Sequence, residues 1–209
     1  LSSLTELGGL SLGGNQIIDV SPLVQNSGLG QGDIVWLGNN PLDLRQGSQN
    51  RQDIETLKTR GVMVLHDPIV GAVHIDVRMQ GRGSLSGVAV YVNGNRAQPS
   101  ITDVNILIGG IPEGDSTISL EMPGYLKAER TGVSVAYAQT TTLPPVALLG
   151  GDANNDGIID VADLVLAAGQ FGPSAPGAPA DINGDGVVNI MDLALAGMNF
   201  GKTESPWTG

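Results

Sequence analysis

The spacing of apolar positions changes character twice along the 209-residue chain, which predicts three modules. In the first, "LSLGGNQI" (10–17) and "VWLGNNPL" (35–42) share one arrangement. Two apolar residues flank a single position, an asparagine follows, and an aliphatic comes two residues later. Asn15 and Asn40 lie 25 residues apart. At that period each repeat contributes one strand and one turn, and buries its apolar side only against a neighbouring repeat. Residues 51–60, "RQDIETLKTR", carry helical spacing with Ile54 and Leu57 inward, and "GVMVL" (61–65) reads as a last strand.

From Gly71 the period becomes two. "AVHIDVRM" (72–79) alternates strictly, and "GVAVYVNGNRA" (87–97) runs into Asn93-Gly94, a tight-turn signal. "VNILI" (104–108), "STISLEM" (116–122), "TGVSVAYA" (131–138) and "TTTLPPVALL" (140–149) follow at short intervals. About six or seven short strands in this span predict an antiparallel β-sandwich.

Helical spacing returns in the last 60 residues, in duplicate. "VADLVLAAGQFG" (161–172) and "IMDLALAGMNFG" (190–201) both place D-L-x-L-A three residues before F-G. Each follows closely on an acidic loop of one pattern, "DANNDGIIDVAD" (152–163) and "DINGDGVVNIMD" (181–192). The residues leading into the loops, "PPVALLGG" and "PSAPGAPA", forbid an entering helix. The expected modules are therefore 1–67, 70–149 and 150–209. The first residue is not methionine, so the chain is expected to be a fragment or a processed product.

Composition narrows the chemistry. There is no cysteine and only two histidines, His66 and His74, so thiolate and histidine-rich metal sites are excluded. The net charge of -11 argues against a nucleic-acid partner. No apolar run is long enough to span a membrane as a helix. Residues 150–209 hold eight acidic residues and one basic residue, Lys202. Carboxylates packed so densely need counter-charge in the folded state, and bound cations supply it.

The loops offer the ligands. The pattern D-x-[DN]-x-[DN]-G, with further ligands at positions 7, 9 and 12, is that of an EF-hand calcium loop. In the first loop these are the side chains of Asp152, Asn154, Asp156, Asp160 and Asp163 and the carbonyl of Ile158. In the second they are Asp181, Asn183, Asp185, Asn189 and Asp192 and the carbonyl of Val187. A hard cation seeking six to eight oxygens fits this set, so two structural Ca2+ ions are expected. Gly157 and Gly186 occupy the sharp turn.

Three resemblances follow from these residues. "LSSLTELGGLSLGGNQIIDVSPL" resembles the bacterial leucine-rich repeat, which implies an α/β solenoid end with Asn15 and Asn40 buried in turns. "GGIPEGDSTISLEMPGYL" resembles the carboxypeptidase regulatory-like or CnaB-like sandwich of secreted bacterial proteins, an Ig/prealbumin-like fold. Loop plus exiting helix, twice, resembles the type I dockerin, a small α module that binds a cohesin domain. That resemblance implies recognition through loop positions 10 and 11, here Val161 and Ala162 in one copy and Ile190 and Met191 in the other. Many dockerins carry hydroxyl residues there; these are apolar and imply an apolar partner surface. Leu164, Leu166, Leu193 and Leu195 are the candidate inward positions. The family's terminal clasp implies contact between Gly151 at the head and Pro206 and Trp207 at the tail.

No catalytic constellation is present, so the chain is expected to be non-catalytic. The leading expectation is an extracellular or cell-surface anchoring region whose calcium-folded module binds a cohesin-like protein. The alternatives are a self-assembling filament or surface-layer subunit, with another copy of itself as partner, and the C-terminal tail of a secreted polysaccharide-degrading enzyme. Chelation is expected to unfold 150–209 and to leave the sandwich intact.

Overall fold

The computed structural model describes residues 6–207; the expected module ends at Leu1 and Gly209 lie outside the described residues. The fold is mostly β, with four helices among the described residues. The chain forms two compact units, residues 1–70 with 136–138, and residues 71–135 with 139–209.

In the first unit Gly9–Ser11, Ile34–Trp36 and Met63–Leu65 form a parallel sheet in that order, with Leu10 opposite Val35 and Val35 opposite Val64. Parallel strands need crossovers, and two helices sit on them. These are α1 (Ser21–Val24), with proline in its first turn, and α2 (Gln49–Thr59), whose N-cap Ser48 accepts the Arg51 N–H. Ile54 and Leu57 of α2 are buried with Val35 and Leu37, as their spacing predicts. Asn40 ties two turns together. Its amide donates to the carbonyls of Leu12 and Leu37 at 2.8 Å, and its oxygen accepts the Ile17 N–H. Asn15 departs from the expectation of burial. Its amide caps Leu12 and Gly13 carbonyls, but the side chain is exposed, because among the described residues no further turn covers it. Asn50 plays the part instead. It is buried, accepts the Val20 N–H and donates to the Ile18 carbonyl.

The second unit contains the β-sandwich. One sheet runs Ala128–Val135, Gly114–Glu121, Ala89–Val92 and Asn95–Arg96, all antiparallel. The Asn93-Gly94 turn joins the last two with both residues at positive φ. The other sheet centres on Val70–Met79, whose buried positions alternate strictly, and includes Asn105–Pro112 and Ser100–Ile101. The expected all-antiparallel sandwich needs correction here. Thr140–Thr142 and Val146–Leu148 both pair parallel with Val70–Met79. The chain returns beside its own first strand in the same direction, after the intervening strands have served as a crossover. Pro144 and Pro145 split the returning strand because proline has no N–H to donate.

The expected break at residue 150 is not a break in packing. Ile159, Ile182 and Ala196 belong to the same buried cluster as Ile75, Ile118 and Leu120 of the sandwich. Gly150–Asp152 pairs antiparallel with Gly124–Tyr125. The last 60 residues, with Trp207 and two phenylalanines as their aromatics, are too small to enclose a core alone; they borrow one. Four glycines make the close approach possible. A Cβ on Gly81 would lie 2.7 Å from Leu195, one on Gly151 2.7 Å from Ala196, and those of Gly124 and Gly150 would strike Pro179 and Ile182. Two further helices, α3 (Val161–Gly169) and α4 (Ile190–Met198), follow the acidic loops and pack on each other.

Candidate metal centres and the exposed helix face

The two acidic loops fold alike for local reasons. Their fourth and sixth residues take positive φ: Asn155 (59°) and Gly157 (86°), then Gly184 (71°) and Gly186 (87°). This curls each loop around its first carboxylate. Asp152 accepts the N–H groups of Asp156 and Gly157, each at 3.0 Å, and Asp181 accepts that of Gly186 at 3.0 Å. The twelfth residue closes the ring. Asp163 accepts from Asn154 N and Asp160 N, and Asp192 from Asn183 N and Asn189 N. The ninth residue, Asp160 or Asn189, caps the following helix in a reciprocal capping box.

The halves interlock reciprocally. Val188, eighth in the second loop, pairs with Gly172 beyond α3. Ile159, eighth in the first, exchanges hydrogen bonds with Gly201 and Lys202 beyond α4.

Asp152, Asp156 and Asp163 bring one carboxylate oxygen each within 4.8 Å of one another, a group able to hold a metal ion. Asp160 stands outside it, its oxygen taken by the Ala162 N–H at 2.7 Å. In both loops the asparagine at position 3 donates to the carboxylate at position 5, Asn154 to Asp156 and Asn183 to Asp185. At position 7, Ile158 and Val187 have exposed side chains, and the Val187 carbonyl accepts a 3.3 Å hydrogen bond from Asn189. Burial pushes the Asp152 carboxyl above its ordinary pKa; amide hydrogen bonds from Gly157 and Asp156 oppose that, and the charges of Asp163 and Asp156 add to it. The carboxylates thus repel one another in a dry setting, which a cation relieves.

The donor set is oxygen throughout, the chemistry of a hard divalent ion. One atom tests the fit directly. Asp181 is 3% exposed, and its Oδ1 is buried without a hydrogen-bond partner. Its other oxygen is satisfied by Ser174 Oγ and Gly186 N. A buried carboxylate oxygen without a donor is costly unless a cation takes it.

The apolar residues after each ninth position face solvent. Val161, Ile190 and Met191 are 63%, 66% and 61% exposed, and Ala162 is exposed too. Val165, Met198, Phe171 and Phe200 extend this apolar surface. Leu164 and Leu195 turn onto the large core and Leu193 onto a small one formed by Ala153, Ala167, Ala180 and Val188. Leu166, expected inward, is exposed instead, because α3 already fills its inner face with Asp163, Leu164 and Ala167.

The terminal clasp takes another form than expected. Gly151 meets Ala196 and Ile159, not the tail, and Pro206 is exposed. Trp207 bridges to Val146, its indole donates to the Glu129 carbonyl, and Arg130 lies 5.8 Å over its ring. Ser205 is the pin. Buried, it donates to the Leu126 carbonyl at 2.7 Å and accepts the Leu149 N–H at 2.9 Å. Sequence reasoning also missed Arg82, Tyr125 and Asn199, which tie the loops to the sandwich. Asn199 donates to the Gly150 carbonyl at 2.7 Å and to Gln80 Oε1. The one local hint was the unequal fourth position, asparagine in one loop and glycine in the other.

No family model matches the chain, and no curated protein matches it. Solved structures do. Two are of a type II cohesin–X–dockerin complex from Acetivibrio cellulolyticus, one a C-terminal and one an N-terminal interface mutant. They align with TM-scores of 0.51 at 23% and 22% identity, covering 64% of this chain and 97% of the matched chain. At that identity the likeness is one of fold, in keeping with the mainly β unit described above. Among the described residues no helix is long and apolar enough to cross a membrane.

Proposed function

We propose that the second unit is a dockerin-like adaptor, folded around two calcium ions, that docks a cohesin-like protein through the exposed apolar residues of α3 and α4. One observation carries this reading: Ile190 and Met191 are solvent-exposed at the mouth of a capped helix while Leu193 and Leu195 beside them turn inward. Contiguous exposed aliphatic side chains of this kind mark interaction surfaces. The buried, unpartnered Asp181 Oδ1 and the Asp152–Asp156–Asp163 group support the cation. The number of oxygens each loop offers favours calcium over magnesium, which keeps most of its waters. The fold likeness supports the dockerin side of the pair, because 64% of this chain is the share that the second unit fills by itself.

The first unit reads as the end of a leucine-rich repeat domain, on its parallel strands and the Asn40 bridge between turns. The whole is a non-catalytic anchoring region that works outside the cell or at its surface. A self-assembling reading is favoured by one feature: Trp36, Met63 and Leu65 are exposed on the sheet of the first unit. An enzyme tail remains the third reading and concerns residues before Leu1. Light scattering after size exclusion separates the first two. With calcium, a monomer that forms a one-to-one complex with an added cohesin domain supports the adaptor; growth of oligomers by the chain alone refutes it in favour of assembly.

A further inference from the structure

We propose that Arg82, a residue of the sandwich, is a positioning residue for the second loop and sets that loop's affinity for a cation. The inference rests on the calcium reading of the loops given above. Arg82 reaches across about a hundred residues of sequence to the start of the loop. Its Nη2 donates to the carbonyl of Asp181 at 2.6 Å and its Nε to that of Ile182 at 2.8 Å. The guanidinium lies 5.7 Å over the Tyr125 ring, and the Tyr125 hydroxyl reaches the same Ile182 carbonyl at 2.6 Å. Burial pushes that hydroxyl up to about 12, so it remains a donor.

Two further observations tie Arg82 to this loop and to no other. At the loop's fourth position, Gly184, a Cβ would come within 3.0 Å of the Arg82 Cζ. The first loop has Asn155 there, and its side chain accepts the Gly124 N–H instead. The fork therefore grips one loop only. The residue it grips is the one whose buried Oδ1 has no partner. The main chain of Asp181 is fixed by Arg82, one carboxylate oxygen is fixed by Ser174 and Gly186, and the remaining oxygen is left for the ion. A ligand held in place before the ion arrives loses less freedom on binding, and removal of such outer partners typically weakens metal sites about 10–100-fold.

Charge alone predicts the opposite sign. A guanidinium beside a dication site repels the ion, so its removal would tighten binding if repulsion dominated. Calorimetric calcium titration of the full chain decides between them, in an Asp156→Ala background that leaves the second loop to titrate and an Asp185→Ala background that leaves the first. Arg82→Ala is expected to weaken calcium about tenfold or more at the second loop and to leave the first unchanged. Arg82→Lys keeps the charge, loses the two-carbonyl fork, and is expected to weaken the second loop as well. An unchanged first-loop titration shows that the unit has folded in each variant. Unchanged or tighter binding at the second loop, or an equal loss at both loops, overturns the proposal. Failure of the unsubstituted chain to bind calcium overturns the calcium reading itself, before any Arg82 variant is made.

Discussion

Gly150 has no room for a side chain, because Ile182 fills the space in which a Cβ would stand. The two residues belong to opposite sides of the seam between sandwich and loops. Gly150→Ala is therefore expected to overpack that seam and to cost about 1–3 kcal/mol. Urea denaturation of the second unit measures it. A change within about 0.5 kcal/mol, the range of ordinary surface substitutions, would show that the seam yields.

The shared core changes what chelation should do. Ile159, Ile182 and Ala196 pack in one cluster with the sandwich, and Asn199 and Ser205 bond its backbone. Excess EDTA is expected to lower the melting midpoint of the whole second unit, with strand and helix signals lost in one transition. Calcium at 100 times its dissociation constant supplies about 2.7 kcal/mol per site. Circular dichroism in which the helices are lost while the strands hold their original midpoint would restore the picture of a separate module.

Ile190→Asp separates docking from folding. The side chain is 66% exposed, so the expected loss of stability is within about 0.5 kcal/mol. The expected loss of partner affinity is that of an interface anchor, about 2 kcal/mol or roughly thirtyfold. Unfolding of the variant, seen by thermal melting with calcium, would place Ile190 in the core.

Asn40 and Asn15 share a sequence position and should differ in energy. Asn40→Ala abandons the carbonyls of Leu12 and Leu37 and the N–H of Ile17, at an expected cost of about 1–3 kcal/mol. Asn15→Ala, at an exposed turn, is expected to cost about 0.5 kcal/mol or less. Urea midpoints of the first unit compare the two; equal losses would contradict the difference.

What the sequence made legible was local. The loop ligands fall at fixed spacing within twelve residues, so Asp152, Asp156 and Asp163 were identifiable without a fold. The strand Val70–Met79 announced itself by alternation, and α2 by the spacing of Ile54 and Leu57. The tie between Arg82 and Asp181 carries no such mark, because its partners are 99 residues apart and neither has an unusual neighbour. The same holds for Ser205 and Leu126, 79 residues apart. Parallel pairing of Thr140–Thr142 with Val70–Met79 was invisible for a related reason: alternation reports a strand's faces, not its direction. The seam glycines look like loop residues in sequence, and only the packed neighbour reveals why a Cβ is excluded.

The central claim is that cations fold the second unit into a surface that docks a partner through Val161, Ile190 and Met191. Calorimetric titration of the full chain with a type II cohesin domain, once in calcium and once in EDTA, tests it most directly. The account predicts saturable one-to-one binding in calcium and none in EDTA. No binding in calcium, or equal binding in both, would contradict it.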